Sequence, residues 1–523
     1  MYHCAAQLAA DALYSSGSND RKDHVVGTIT MQMIIRAGCD LTYTFPMMFF
    51  NTNSRIGSLI KNIWLIFAGT AGSKLILFFL LPFYTAYFTP EEYGAGDLVV
   101  IYGTMLLAVL TGNIFDAVFL FPKGKAFAVQ RRYFSSGLFF QLVLLVVGGG
   151  VLVAIRFLVQ GSSGFFIRNN WWIFCVAASQ ALQSYTQQFA RGMDKMTVYV
   201  SAGVVHTATL ALFSLLLVPY YGISGFLTAQ IVGPLAGTGF AFFAGKMYRY
   251  FSFSAFDKRF LIRMLQYSIP LAPTTFMWWL ISSSNRPLLE IYTGLATVGL
   301  FAVAVKIPAL LSVGYGIFNN AWTISVVEEY KKNDFSQYFN KMFLLIYFIL
   351  IFLASGMTVF MSKILALVVS KEFQTAWVYI PVMMFSAVFS SMAGFIGPVF
   401  AAHKKSVYFL YSCLICGVAC VLLNLLLIPA MGLWGAVIAA VGSSLTMFIA
   451  RVFYAWRYVR LKNILFLLYC TLSSLALAAF TIYFKHVLWS FVLFTLIFLP
   501  VFYLQKRNIS EIYNYLQKRL LVK

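Results

Sequence analysis

Two lysines lie deep within apolar stretches of the chain, where a charge is costly. Lys306 lies about eleven residues into one apolar run, and Lys74 lies about twelve residues, or ~18 Å of helix, into another. A lysine at the middle of a membrane-spanning helix costs at least ~2.5 kcal/mol unless it faces water or a partner, so it marks a pathway by default. The alternatives are an ion pair with a carboxylate such as Asp97 or Asp116, or a side chain that reaches the membrane surface.

Further polar groups interrupt other apolar runs. Arg286 follows the run 261–283, which contains Pro270 and Pro273, and prolines inside a helix bend it. Neutral amides can bind a polar ligand or make hydrogen bonds between helices, and the residues alone favour neither use. The amides concerned are Gln180, Gln183 and Gln187, which share one helical face, and Asn319 and Asn320.

The elements that must position these side chains are membrane-spanning helices. Of the 523 residues, 61% are hydrophobic and only 10% are charged, whereas about a quarter are charged in soluble domains. The mean hydropathy is +0.82. The 38 Lys and Arg residues exceed the 16 Asp and Glu residues, but they fall in small groups between apolar runs, which argues against nucleic-acid binding. The seven cysteines are scattered, so neither a disulfide framework nor a metal site is expected.

The apolar runs predict an all-α polytopic membrane protein with about fourteen transmembrane helices. We expect two six-helix lobes related by pseudo-twofold symmetry, followed by two further C-terminal helices. Residues 1–54 are expected to be either a disordered extension or the product of a translation start assigned too far upstream. The N-lobe is expected to comprise residues 55–250 and the C-lobe residues 251–460. Residues 461–523 are expected to form the two further helices and a basic cytoplasmic tail. The runs are 62–86, 95–121, 133–158, 170–190, 197–219, 223–245, 261–283, 295–325, 341–368, 375–402, 406–429, 432–456, 463–484 and 487–504.

Loop charge predicts the orientation, because Lys and Arg accumulate in cytoplasmic loops. Basic residues concentrate in alternate loops, for example between Lys123 and Arg132 and between Arg457 and Lys462. The loops between them carry few charges. This alternation predicts an even number of spans and two cytoplasmic ends.

An internal repeat supports the division into two lobes. Residues 195–225 read KMTVYVSAGVVHTATLALFSLLLVPYYGISG, and residues 405–435 read KSVYFLYSCLICGVACVLLNLLLIPAMGLWG. A Pro-x-x-Gly-x-x-Gly sequence recurs at the same place in both, and Tyr93-Gly94 is echoed more weakly by Val298-Gly299. An offset of six spans preserves orientation, so the repeats are parallel, as in transporters whose two lobes rock about a central site.

Three segments carry a family resemblance: FAGTAGSKLILFFLLPFYTAYFTPEEYGAGDL, WWLISSSNRPLLEIYTGLATVGLFAVAVKIPALL and NNAWTISVVEEY. Together they resemble the polysaccharide-exporter branch of the multidrug/oligosaccharidyl-lipid/polysaccharide (MOP) superfamily, the Wzx-type O-antigen flippases. The resemblance runs from about Asn53 to the C-terminus. It implies fourteen helices, a V-shaped cavity between two lobes, and flipping of an undecaprenyl-pyrophosphate-linked oligosaccharide across the inner membrane by alternating access.

The resemblance also implies roles for the polar residues. An anionic head group needs cations in the cavity, sugar hydroxyls need amides and aromatic faces, and lobes that rock need a hinge. The plainer alternatives are membrane-surface anchors, topology determinants, interhelical hydrogen bonds and packing kinks. The predicted residues are Lys74, Lys306 and Arg286 for the diphosphate; Gln180, Gln183, Gln187, Asn319, Asn320 and Trp322 for the sugar; Arg191 and Arg263 at the cytoplasmic mouth; and Pro270 and Pro273 as the hinge.

One departure from the family and several alternatives bear on the function. Family members often have Asp where Asn285 stands, which puts carboxylate-based ion coupling there in doubt. A drug/cation antiporter of the same superfamily would be expected to have acidic cavity residues, whereas a peptidoglycan-precursor flippase shares the cationic cavity. A membrane polysaccharide polymerase or ligase would need a large charged outer loop, and the outer loops are short.

The expected partners follow from the same resemblance. They are the lipid-linked oligosaccharide, the lipid bilayer, and a polysaccharide polymerase with its chain-length machinery. No cofactor is expected, and the sequence does not decide whether an H+ or Na+ gradient drives transport.

Overall fold

The computed structural model describes residues 72–158 and 164–503, and in that part of the chain it contains seventeen α-helices and no strand. The expected extension over 1–54, the start of the run 62–86 and the basic tail from 504 onward lie outside the described residues. The helices are α1 (Gly72–Tyr87), α2 (Pro90–Thr111), α3 (Ile114–Leu120), α4 (Phe127–Leu158), α5 (Phe165–Arg168), α6 (Asn170–Gly192), α7 (Met196–Ala244), α8 (Lys258–Ser268), α9 (Ala272–Ser283), α10 (Asn285–Thr293), α11 (Leu295–Glu329), α12 (Phe335–Val368), α13 (Ile380–Ala402), α14 (Ser406–Met431), α15 (Leu433–Ala455), α16 (Ile464–Phe484) and α17 (Val487–Tyr503).

The predicted apolar runs fall on these helices. Nine helices of the described chain are long and apolar enough to cross a membrane, and α1 and α17 are shorter apolar helices. The 49-residue α7 carries two runs and is interrupted at Gly222, whereas α2 and α3 share one run, as do α8 and α9. The short helices α5 and α10 are additions that the runs did not predict. The prediction of an all-α multi-pass membrane protein is confirmed.

The internal repeat has the same backbone conformation in both copies. Gly222 has φ 54° and ψ −130°, and Gly432 has φ 56° and ψ −127°. Only glycine adopts this conformation readily, because it lacks a Cβ. Three residues later, Gly225 and Gly435 each pack against the carbonyl group eight residues before them, where a Cβ would overlap the oxygen. The recurring Pro-x-x-Gly-x-x-Gly sequence therefore encodes one turn, used twice.

The helices α2 and α11 cross at two glycines. Gly94 lies against the carbonyl oxygen of Leu295, and Gly299 lies against the carbonyl oxygen of Pro90, so a Cβ on either glycine would overlap its neighbour. Both pairs of equivalent residues are 205 positions apart, and the contacts are therefore reciprocal, as at a twofold axis. The weak sequence echo at these positions corresponds to a direct contact between the two repeats.

Two more contacts join the repeats at the same end of the bundle. The Ser370 backbone N–H donates to Thr85 Oγ1 at 3.4 Å, and the rings of Tyr93 and Phe373 meet edge to face at 5.9 Å. Since Thr85 and Tyr93 flank the turn between α1 and α2, the two repeats are in contact around this turn.

The seventh span is broken into two helices that contact different neighbours. A 3-10 turn, Ile269–Leu271, separates α8 from α9. α8 packs against α3 and α4, whereas α9 packs against α2 and α14. The indole Nε1 of Trp279 in α9 donates to the carbonyl of Ile101 in α2 at 3.2 Å. Because α8 follows position 250 and yet packs on helices from before it, the lobe boundary at 250 stays a prediction.

The last two spans pack on α12, away from the α2–α11 crossing. Ser355 Oγ of α12 donates to Ser474 Oγ of α16 at 2.9 Å, and Tyr347 donates to the carbonyl of Leu467 at 3.2 Å. The ring of Phe498 in α17 meets Phe352 edge to face at 5.5 Å.

Candidate functional site

An ion pair joins α2 to α10 close to the glycine crossing. Arg286 Nε lies 2.7 Å from Asp97 Oδ2, and the two side chains are only 9% and 14% exposed. Neither atom has a hydrogen bond within the described chain, so the N–H points off the line between them and the contact is an ion pair. The Arg286 guanidinium also lies over the ring of Phe301, 5.6 Å from its centroid.

Lys306 lies within electrostatic range of this ion pair, and Lys74 lies within electrostatic range of Lys306. Lys306 is half-buried on α11, and Asp97, Arg286 and Lys74 all act electrostatically on its ammonium group. Lys74 is exposed on α1. Asp97, the partner considered as an alternative for the lysines, makes its short contact with Arg286 instead. We call Lys74, Asp97, Arg286 and Lys306 the cationic cluster.

The charge of the cationic cluster is unbalanced. It contains three cations and one carboxylate, and that carboxylate is already paired. Charges interact more strongly at the low effective dielectric of a partly buried site than in water. The cluster can therefore attract and hold an anion.

The start of α2 sets the position of Asp97. The Glu92 backbone N–H donates to Thr89 Oγ1 at 3.3 Å, and the Thr89 backbone N–H donates to the Glu92 carboxylate at 3.0 Å. This capping box, with Pro90 at the first helical position, defines where the helix begins. Glu92 thus caps the start of α2.

The residue before Arg286 ties α10 to the C-terminal repeat. Asn285 is 4% exposed, and its Nδ2 donates to the carbonyl of Ala436 in α15 at 3.0 Å. Its Oδ1 accepts a hydrogen bond from Asn424 Nδ2 at 3.1 Å. An ionised aspartate has no N–H group to donate to the Ala436 carbonyl, so an asparagine suits this position. These hydrogen bonds hold the start of α10, from which Arg286 extends.

A cavity of about 570 Å³ lies among helices α9, α11, α13, α14 and α15, and we call it the C-lobe cavity. Its wall includes Tyr315 of α11, whose hydroxyl donates to Asn319 Oδ1 at 3.0 Å. Trp278 of α9 presents an indole to the same space, and it is 40% exposed. Amides, hydroxyls and an aromatic face are the groups that bind sugars. The polar lining includes Ser312, Asn319, Thr323, Ser390 and Ser391.

The sequence analysis missed the charged residue of this wall, Arg451 of α15. It is 2% exposed, its NH1 donates to the carbonyl of Ala393 at 2.7 Å, and its Nε donates to Ser412 Oγ at 3.2 Å. Its signal was available, because it is an arginine eighteen residues into α15. However, it lies five residues before the end of the run 432–456 and six before Arg457, a position typical of an ordinary cytoplasmic helix end.

The structure separates the residues predicted to bind sugar. Asn319 lines the C-lobe cavity, and Asn320 is exposed. Trp322 is buried, because its Nε1 donates to the carbonyl of Phe395 at 2.8 Å and its ring stacks on that phenylalanine at 4.2 Å. Its contacts are those of a packing residue.

The predicted glutamines of α6 lie apart from this cavity. Gln187 Nε2 donates to the carbonyl of Tyr199 in α7 at 3.4 Å, and Gln183 lies against Gly237 of the same helix. Gln180 is half-buried. At two of the three positions the contacts are therefore the interhelical ones considered as the alternative use.

The residues predicted for the mouth and hinge have distinct surroundings. The Arg191 guanidinium lies over the ring of Phe119 at 4.9 Å, whereas Arg263 is exposed on α8. Pro270 lies in the 3-10 turn of the broken seventh span, and Pro273 lies in the first turn of α9. A break is present at these prolines, and its use as a hinge stays a prediction.

Comparison with known proteins identifies the fold. No family model and no curated protein matches the sequence. A solved structure described as lipid II flippase MurJ, inward closed conformation, matches with a TM-score of 0.63 and 15% identity over 85% of this chain and 99% of that chain. An inward-facing multidrug resistance MATE family transporter of the MOP superfamily matches with a TM-score of 0.60 and 13% identity, over 80% of this chain and 97% of that chain.

A third structure, a MATE in complex with MaL6, matches with a TM-score of 0.51 and 15% identity over 76% of this chain and 95% of that chain. These proteins are a flippase and transporters, not enzymes. At such identities the likeness shows the fold alone: the chain has the fold of the MurJ and MATE structures, which agrees with the fold that the family resemblance implied.

Proposed function

We propose that the protein is a flippase that moves an undecaprenyl-pyrophosphate-linked oligosaccharide from the cytoplasmic to the outer leaflet of the bacterial inner membrane. The observation that carries the proposal is the cationic cluster, where Arg286 pairs with Asp97, and Lys306 lies within electrostatic range of Asp97, Arg286 and Lys74. A pyrophosphate loses its hydration when it enters a membrane protein, and cations held in place offset that cost. The cluster supplies them at the contact between the two repeats.

The C-lobe cavity is our candidate for the oligosaccharide. Tyr315 and Asn319 offer a hydroxyl and an amide, and Trp278 offers an aromatic face. The sugar would be an O-antigen, capsule or exopolysaccharide repeat unit, which a polysaccharide polymerase and its chain-length machinery would then receive. The alternation of basic loops supports the proposed orientation, with both termini in the cytoplasm.

The charge of the cluster weighs against a drug/cation antiporter. Such a protein would need a carboxylate free to bind a cation, and Asp97 is paired with Arg286. A peptidoglycan-precursor flippase is the second candidate, favoured by the fold likeness to a protein described as a lipid II flippase. Both flippases would need cations for an anionic lipid head, so substrate competition must distinguish them.

Transport by the purified protein in liposomes tests the proposal. The probe is a fluorescent undecaprenyl-pyrophosphate-linked oligosaccharide, and the measured quantity is its transfer rate between leaflets. Lys306→Ala is expected to lower the rate at least about tenfold, since a charge-assisted hydrogen bond contributes roughly 1.5–3 kcal/mol. Lys306→Arg should retain most of the rate.

Lys363→Ala is the matched control, because Lys363 is an exposed lysine on the apolar helix α12. It should transport like the unaltered protein. Full transport by Lys306→Ala would remove the proposed role of the cluster, and faster transport of a peptidoglycan-precursor lipid would favour the second candidate.

A further inference from the structure

Arg451 is a buried cation whose charge has no counter-ion among the described residues. No carboxylate of that part of the chain lies within ion-pair distance of its guanidinium. The titratable groups that act on it electrostatically are Cys413, Cys416 and Tyr315, which are neutral at ordinary pH. A charge inside a membrane helix bundle is costly unless an anion or polar groups compensate it. Polar contacts supply part of that compensation here.

The contacts of Arg451 hold the guanidinium in place and leave donors free. Besides its bonds to Ala393 and Ser412, its NH2 contacts Cys413 Sγ at 3.7 Å, and its Cζ lies 4.3 Å from the centroid of the Phe409 ring. A guanidinium has five N–H groups, and these three bonds use three of them. The other two N–H groups have no acceptor among the described residues, and the side chain that carries them forms part of the cavity wall. A planar group with two free donors matches two oxygens of a phosphate.

An apolar groove adjoins the C-lobe cavity. It has a volume of about 400 Å³, lies between α11 and α12, and is lined by residues such as Leu311, Phe318 and Leu350. Tyr315 lines both the groove and the cavity. An anionic head in the cavity would therefore place an attached hydrocarbon chain next to an apolar surface.

We propose that Arg451 and the C-lobe cavity form a second anion site, which binds the pyrophosphate of a prenyl-linked lipid while its chain lies in the α11–α12 groove. This inference deepens the proposed function and rests on it. The site is separate from the cationic cluster, because none of the four residues of the cluster lines the C-lobe cavity. Along α11, Tyr315 lies nine residues after Lys306, which is about 13 Å. A head group could thus bind at two successive places.

Direct binding to the full-length protein in nanodiscs tests this site without requiring transport. The probes are farnesyl pyrophosphate, inorganic pyrophosphate and farnesol, and the measured quantity is each Kd. The unaltered protein should bind farnesyl pyrophosphate most tightly, because head and chain both make contacts. Arg451→Met, made in the Lys306→Ala background so that the cationic cluster is weakened, should lower the remaining affinity about ten- to a hundredfold, and Arg451→Lys in the same background should lower it less. Arg156→Met, at an exposed arginine of α4, is the control and should bind normally.

Gly397→Leu keeps the test decisive if Arg451→Met does not fold. A Cβ at Gly397 would make ordinary contacts, at 3.6 Å from Arg451 NH1 and from Phe409, and the rest of the leucine would fill space beside the guanidinium. This variant should lose binding while keeping the arginine. Lys306→Ala should reduce transport but leave binding at this site measurable.

Each outcome decides between the two proposals. Normal affinity for farnesyl pyrophosphate in both Arg451→Met and Gly397→Leu would overturn the second site. Equal affinity for inorganic pyrophosphate and farnesyl pyrophosphate would overturn the proposal that the lipid chain binds in the α11–α12 groove. If Lys306→Ala abolishes transport while Arg451→Met binds normally, the flippase proposal stands and the second site falls. If the unaltered protein binds the prenyl pyrophosphate through Arg451 but moves no lipid-linked oligosaccharide, the flippase proposal falls.

Discussion

At the scale of single residues, the central feature is that three cationic side chains have their charges compensated in different ways. Arg286 has a carboxylate partner, Asp97, whereas Lys306 lies within electrostatic range of that pair and makes no ion pair with any described residue. Arg451 is held by neutral acceptors and an aromatic ring. Burial makes each charge costly, and in the part of the chain that the structure describes, only the first is compensated by an opposite charge at short range. The other two are therefore the better candidates for binding a substrate anion.

The ion pair predicts an unequal response to the loss of its two members. Asp97→Asn leaves three cations with no carboxylate, and we expect it to cost about 3 kcal/mol of stability, at the lower end for a broken buried pair. Arg286→Met should cost less, because Lys306 remains within electrostatic range of Asp97. The double variant should be more stable than the sum of the two losses predicts, by about 1–3 kcal/mol. Unfolding in detergent measures all three, and strict additivity would contradict the pairing.

At the scale of elements, glycines decide how closely the helices approach. The α2–α11 crossing brings two backbones into direct contact at Gly94 and Gly299, and the cationic cluster lies just beyond it. Small residues at crossings are the usual means by which membrane helices pack, since apolar side chains gain little by leaving lipid. Separation of α2 from α11 would therefore also separate Asp97 from Lys306.

Replacement of these glycines should destabilise the crossing. Gly94→Ala and Gly299→Ala each introduce a Cβ that overlaps a carbonyl oxygen of the other helix, and we expect a loss of about 1–3 kcal/mol for each. Gly314→Ala is a control on the same helix α11, where no atom of the described residues lies within 4 Å of the new Cβ. It should be neutral or stabilise by up to about 1 kcal/mol, because alanine favours the helix. Thermal unfolding of the three variants compares them, and equal stability would show that the crossing is looser than described.

At the scale of the whole molecule, the two repeats touch around the turn between α1 and α2. The contacts are Thr85 with Ser370, Tyr93 with Phe373, and the reciprocal glycines. In the proposed orientation this is the outer end, so the structure is closed toward the outside there. Transport by alternating access requires these contacts to break and re-form.

A covalent link at this end should therefore stop transport. In Thr85→Cys/Ser370→Cys, oxidation is expected to join α1 to the segment before α13 and to lower the lipid transfer rate at least about tenfold, and a reductant should restore it. The single variants Thr85→Cys and Ser370→Cys, treated in the same way, are the controls. Unchanged transport by a fully crosslinked protein would show that this end does not open.

Much of this architecture can be predicted from the amino-acid sequence. Apolar runs long enough to span a bilayer determine helices, because backbone polar groups in lipid must be satisfied within the helix. The Pro-x-x-Gly-x-x-Gly repeat determines the turns at Gly222 and Gly432, because only glycine readily adopts their backbone conformation. Depth within a run also singled out Lys74 and Lys306, because charge in an apolar run is rare.

Tertiary structure alone decided which of these groups meet. The chain order does not reveal that Arg286 pairs with Asp97, that Gln187 bonds to Tyr199 within the bundle, or that Arg451 lines a cavity. Each of these depends on the rotation of a helix about its axis, and a helix that is apolar on all sides carries little signal of that rotation in its sequence. The sequence by itself therefore determined the spans, the repeat and the depth of its charges, and packing between spans determined the partner of each charge.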